Sequence, residues 1–83
     1  MNEIIIIFAS ATTASRVKKH LTKQKYYAKV IQTPKNLSDG GCSYCVHTTI
    51  DALDESKAYA KQLDVKIKAV YKMSESGFVK LQR

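Results

Sequence analysis

The chain has 83 residues, 45% of them hydrophobic and 25% charged, with two cysteines, three glycines and one proline. That length holds one domain with one core, and the composition is that of a globular protein rather than a disordered segment. A large multi-part enzyme is excluded, and the continuous apolar run Ile4 to Phe8 falls far short of the ~20 residues of a membrane-spanning helix.

The formal net charge is +7 and it is unevenly spread. Residues 1–35 carry Arg16, Lys18, Lys19, Lys23, Lys25, Lys29 and Lys35 against Glu3, a balance of +6. Residues 36–64 come to −3 and the remainder to +4. A basic excess favours anionic partners, either nucleic acid or the acidic face of another protein, although solvated lysine also serves solubility alone. The start Met1-Asn2-Glu3 has no basic segment of the kind that opens a secretory leader. With two cysteines only, a disulfide framework is not expected, and a cytoplasmic location is.

Glu3 to Phe8 is β-branched and apolar on both parities, which predicts a strand buried on both faces. Ser10, Thr12 and Thr13 supply N-cap oxygens for a helix to about Lys25, with Ala14, Val17 and Leu21 as its apolar stripe. Tyr26 to Gln32 predicts a second strand, and Thr33 to Gly41 a loop. From Ser43 to Ile50 a third strand follows, with Tyr44, Val46 and Thr48 on one face and Cys45, His47 and Thr49 on the other. Asp51 is the predicted N-cap of a second helix through Leu63, which buries Leu53, Ser56, Ala60 and Leu63. Asp64 closes it, and Val65 to Met73 alternates as a fourth strand. The order β-α-β-β-α-β predicts an α+β, ferredoxin-like (split βαβ) domain over residues 1–73. In it a four-stranded antiparallel sheet carries both helices on one face and leaves the other open. Residues 74–83 are expected to form a short tail or an edge strand.

The chemistry concentrates in Thr33 to Cys45, TPKNLSDGGCSYC. Gly40-Gly41 permits positive φ and exposes successive backbone N–H groups just before Cys42, and Lys35 is near in sequence. Such donors favour a thiolate. The bland reading is that Cys42 is a small hydrophobe at a strand start. Cys42 and Cys45 have the C-x-x-C spacing. A redox dithiol normally opens a helix, whereas strand sequence follows here. Structural zinc needs about four ligands, and only His20 and His47 remain to supply nitrogen. Neither metal nor cofactor is therefore expected. Cys45 and His47 share a face at i, i+2, so an imidazole there can assist a thiolate, although a solvated histidine is the commoner outcome. An RNA-binding sheet shares this element order, and Lys66, Lys68 and Lys72 would give it a basic open face, but stacking aromatics are not expected on the third strand.

The segment after the second strand resembles the selenium/sulfur carrier-like family of small bacterial proteins. Thr33, Pro34, Lys35, Leu37, Ser38 and Cys42 fall on its pattern, and Val70-Tyr71-Lys72 resembles its last strand. The likeness covers about the first 73 residues. Ser43 stands where the family commonly has glycine, Gly40-Gly41 sets Cys42 one residue later than in many members, and Cys45 has no clear counterpart. The resemblance implies a carrier in which Cys42 accepts sulfur or selenium as a persulfide or selenosulfide and passes it from a donor protein to an acceptor. Lys35, Ser38, Gly40 and Gly41 would activate the thiol, with Cys45 and His47 as assisting groups. The alternative is a non-catalytic interaction or RNA-binding module. A homodimer through the sheet is compatible with either, and no membrane partner is expected.

Overall fold

The computed structural model describes residues 3–33, 44–75 and 77–81. Strand β1 (Glu3–Phe8) leads into helix α1 (Ala11–Lys23). Ser10, in extended backbone, accepts a hydrogen bond from the Thr13 N–H at 3.2 Å and so starts the helix. Ala14, Val17 and Leu21 are its buried stripe, as their spacing requires. Then come β2 (Ala28–Gln32), β3 (Tyr44–Thr49), a single 3-10 turn (Ile50–Ala52), α2 (Leu53–Gln62), β4 (Ala69–Ser74) and β5 (Gly77–Lys80).

Both helices end by the same device. At α1 the N–H of Tyr26 reaches the carbonyl of Leu21 at 2.9 Å, and that of Lys25 reaches Thr22 at 3.0 Å. At α2 Val65 bonds Ala60 at 3.0 Å and Asp64 bonds Lys61 at 3.1 Å. These are Schellman pairings, and they put Lys25 (φ 71°) and Asp64 (φ 59°) in the left-handed region that glycine usually fills.

The sheet order is β2-β3-β1-β4-β5, with every neighbouring pair antiparallel. Each helical crossover skips one strand: β1-α1-β2 leaves room for β3, and β3-α2-β4 passes over β1. The sheet has five strands rather than the four expected. The fifth is an edge hairpin arm formed by residues 77–80, turned at Gly77 (φ 122°), where the Ser74 hydroxyl donates to the Gly77 carbonyl at 2.8 Å.

The starts of three elements differ most from the sequence reading. Asp51 lies in the 3-10 turn, and α2 begins after Ala52 with no side-chain cap. β4 begins at Ala69, not Val65, because β1 offers partners only from Ile7↔Ala69 to Ile4↔Lys72. β2 begins at Ala28, since Tyr26 is already spent closing α1.

The far face differs most. Ile4, Ile6, Phe8, Val46 and Val70 face the helices with Ala14, Val17, Leu21 and Ala60. On the opposite face Ile5, Ile7 and Cys45 are just as inaccessible (0%, 4% and 0% exposed), packed against Ile31, Ala69, Tyr71, Met73 and Phe78. The face expected to be open and basic is apolar at its centre. Lys72 shares its face with Val70 and Ile4, on the helix side, and Lys66 and Lys68 precede β4 altogether.

Candidate functional site

Cys45 and His47 are positioned by β3, which is hydrogen-bonded on both sides. Cys45 lies directly across from Ile7 of β1 and Ile31 of β2, and His47 across from Ile5 and Lys29. The two side chains therefore share the far face, as predicted, about 7 Å apart along the strand. Their environments separate them chemically.

Cys45 is fully buried. Burial pushes its thiol pKa up, because a thiolate would lose its hydration among isoleucines, and the Thr33 side-chain hydrogen bond pulls it only partly back. Thr33 is itself buried, at the end of β2. Such a thiol is a weak nucleophile where it stands.

His47 is committed elsewhere. Its Nε2 lies 2.6 Å from Oε1 of Glu3, and the edge of one ring meets the face of the other at Tyr27 (centroids 5.4 Å apart, planes at 88°). Its side chain is 18% exposed, so this is a half-buried carboxylate–imidazole–phenol group rather than a solvated histidine. The sequence reading missed Glu3, Tyr27 and Thr33 as partners. Glu3 was recoverable, because it shares the parity of Ile5 and Ile7 and so must lie on the face of His47 once β1 pairs antiparallel with β3.

The second histidine repeats the pattern between the helices. His20 of α1 places Nε2 2.6 Å from Oε2 of Glu55 and stacks on Tyr59 at 4.0 Å with ring planes 4° apart. Glu55 and Tyr59 are one turn apart on α2, so both reach the same imidazole. His20 sits in the last turn of α1 and Glu55 in the first turn of α2, the helix end that favours a carboxylate. This group clamps α1 to α2.

Lys35, Ser38, Gly40, Gly41 and Cys42 lie outside the described residues. The far face gains two aromatic rings that the sequence reading did not credit, Tyr71 from β4 and Phe78 from β5, both half-buried against the Ile5–Ile7–Cys45 cluster. No helix among the described residues is long and apolar enough to cross a membrane.

No curated protein matches the chain. A family model described as "Putative Se/S carrier protein-like" matches residues 3–72, from the start of β1 into β4, and leaves β5 beyond its end. With that match spanning both helices and all strands but the last, the chain belongs to the Se/S carrier protein-like family.

Proposed function

We propose that the protein carries sulfur or selenium on Cys42 and delivers it to an acceptor protein. Family membership over residues 3–72 supports a carrier. The observation that favours one cysteine over the other is the burial of Cys45, whose thiol is held in its neutral form. The exchange then falls to Cys42, preceded by Gly40-Gly41, with Lys35 and Ser38 earlier in the same segment.

The loading step is a thiolate exchange. The Cys42 thiolate attacks the terminal sulfur of a donor persulfide, the donor S–S bond breaks, and the donor cysteine leaves as a thiolate. The product is Cys42–S–SH. For delivery, an acceptor thiolate attacks that outer sulfur and Cys42 is released as a thiolate. Both steps conserve electrons and need no external reductant. Selenium follows the same route, with the selenosulfide in place of the persulfide.

Release by Cys45 is the less favoured route. Attack on Cys42 Sγ would form a Cys42–Cys45 disulfide and release hydrogen sulfide, but a buried neutral thiol on a strand paired on both sides must first be exposed.

The test is sulfur transfer from a cysteine desulfurase charged with labelled cysteine, read by intact mass and by label under non-reducing conditions. Wild type and Cys45→Val should each take up one reducible sulfur, and Cys42→Ser none. Loading of Cys42→Ser would refute the assignment, and loss of loading in Cys45→Val would show that the buried thiol takes part.

A further inference from the structure

β5 ends the sheet order, so its outer edge has no strand beside it among the described residues. The hydrogen bond from the Leu81 N–H to the Val70 carbonyl, at 2.8 Å, sets which backbone groups point which way. Bonded pairs recur at every second residue of an antiparallel ladder. With Val79 across from Lys72 and Gly77 across from Ser74, the backbones of Leu81, Val79 and Gly77 therefore turn toward β4. Those of Phe78 and Lys80 turn outward, each with an N–H and a carbonyl that this sheet does not use. The side chains of Phe78 and Lys80 lie on the far face, across from Met73 and Tyr71, and Val79 lies on the helix side, across from Lys72. Val79 is 51% exposed, so the edge presents an apolar side chain as well as unused backbone groups. The strand holds no proline, and its one lysine stands at its end, so little protects this edge from pairing. β5 also lies beyond the residues that the family model matches, so family membership supplies no partner for it.

We propose that β5 pairs antiparallel with β5 of a second copy of this chain about a two-fold axis at Val79, joining two sheets into one. The geometry selects that register. A two-fold axis normal to the sheet keeps the helices of both copies on one side, so paired residues must share a face. Outward backbone groups must also meet outward backbone groups. Both conditions hold when Phe78 lies across from the second copy's Lys80, Lys80 across from its Phe78, and Val79 across from its Val79 at the axis. Centring on Phe78 instead carries Lys80 past the turn of the opposing hairpin and forfeits its bonds. Centring on Lys80 sets two ammonium groups face to face, which destabilises a strand pair. In the Val79 register the two valines cover each other at the non-hydrogen-bonded position, where side chains come closest. On the far face each Lys80 lies between Tyr71 of its own copy and Phe78 of the other, so its ammonium meets aromatic rings rather than a cation. The contact is one short strand long, which makes it a concentration-dependent dimer rather than an obligate one. The pairing does not depend on the role of Cys42.

The experiment is sedimentation equilibrium of the full chain from micromolar to millimolar concentration, with backbone-amide NMR over the same series. The mass should rise from 9.3 kDa toward twice that value, with concentration-dependent shifts centred on β5 and none on β2, the other edge. Each copy has a formal net charge of +7, so added salt should strengthen the dimer, the reverse of an interface held by ion pairs. Val79→Lys and Val79→Glu each set like charges across the axis and should weaken self-association about tenfold, while an equal mixture of the two restores a dimer. Lys80→Pro removes an outward N–H without touching the β4 ladder and should also give a monomer. Val79 and Lys80 are exposed, so these variants should keep the wild-type spectrum elsewhere. If Lys80→Pro unfolds β5, the two valine variants still decide. A chain that stays monomeric at millimolar concentration, a dimer weakened by salt, association that survives the valine substitutions, shifts confined to β2 or the helices, or a mixture no more dimeric than either variant alone would each overturn the proposal.

Discussion

Cys45 should be close to inert in the native protein, and the degree of protection follows from its position. It is fully buried, paired across to Ile7 on one side and Ile31 on the other. Its sulfur is covered on the far face by side chains of the Ile5–Ile7 cluster that the two ladders of β3 hold in place, and β3 separates β2 from the central strand β1. Losing that strand exposes Val46 and Thr48 on the helix side along with Cys45, so the opening is nearly the whole unfolding reaction. A domain of this length has a stability of about 4 kcal/mol at the low end of the usual range. At 1.36 kcal/mol per factor of ten, that predicts alkylation about 10³-fold slower than in the unfolded chain. The assay is iodoacetamide labelling at neutral pH with and without denaturant, with the two cysteines read on separate peptides. The Cys42 peptide serves as an internal clock for reagent activity. Labelling of native Cys45 within about tenfold of the denatured rate would refute the reasoning, because β3 would then open far below the global stability.

The raised thiol pKa of Cys45 links stability to alkaline pH. The native state holds that proton more tightly than the unfolded state, so the contribution is complete below the unfolded thiol value of ~8.5 and is lost as pH rises from there through the native value. Urea midpoints should therefore fall more steeply above about pH 8.5 in wild type than in Cys45→Val, and equal slopes would contradict the assigned burial cost. Lys25 sits at φ 71° and Asp64 at φ 59° as the left-handed caps of α1 and α2. Lys25→Gly should stabilise by about 0.5–1 kcal/mol in urea unfolding, and Asp64→Gly by less, since aspartate tolerates this region better; a lowered midpoint for Lys25→Gly would sink the argument. In a double-mutant cycle on His20→Ala and Glu55→Gln, a pair with side chains 21% and 37% exposed, the coupling should be about 0.3–1 kcal/mol and shrink in high salt. Zero coupling would leave the Tyr59 stack alone to join the two helices there.

The elements legible in the sequence are those whose signal is periodic and local. The spacing of Ala14, Val17 and Leu21 identifies the buried stripe of α1, and the alternation from Tyr44 to Thr49 sorts β3 correctly onto its two faces. The elements that escaped depend on partners. Val65 to Ile67 alternates as well as any strand, yet it lies beyond the end of β1 and has no ladder to join, and Lys68 keeps a single bond to Ile7. β5 is four residues long and carries little periodicity, so the sequence leaves residues 74–83 open between a tail and the edge strand that forms. The helix ends carry no glycine, so the Schellman caps at Lys25 and Asp64 are visible only in the hydrogen bonds. For the site, β3 could be read from sequence, but Glu3, Tyr27 and Thr33 come from other elements and meet His47 and Cys45 only through the sheet register.

The basic open face was the one expectation at odds with another drawn from the same residues. A central strand of five consecutive apolar residues has apolar side chains on both sides, and both sides then need covering. Ile5 and Ile7 thus already require apolar neighbours on the far face, and the alternation of β4 supplies them as Ala69, Tyr71 and Met73. That assignment sends Val70 to the helix core and takes Lys72 with it. The same logic accounts for the burial of Cys45. Cys45 has the parity of the far-face cluster, next to the most apolar strand in the chain, so its chemistry is that of a buried small side chain. Cys42 is three residues earlier, beside two glycines and outside the alternating run. A C-x-x-C spacing read as one dithiol therefore divides into a structural thiol and the thiol to which the carrier chemistry is assigned, and the two labelling rates measure that division directly.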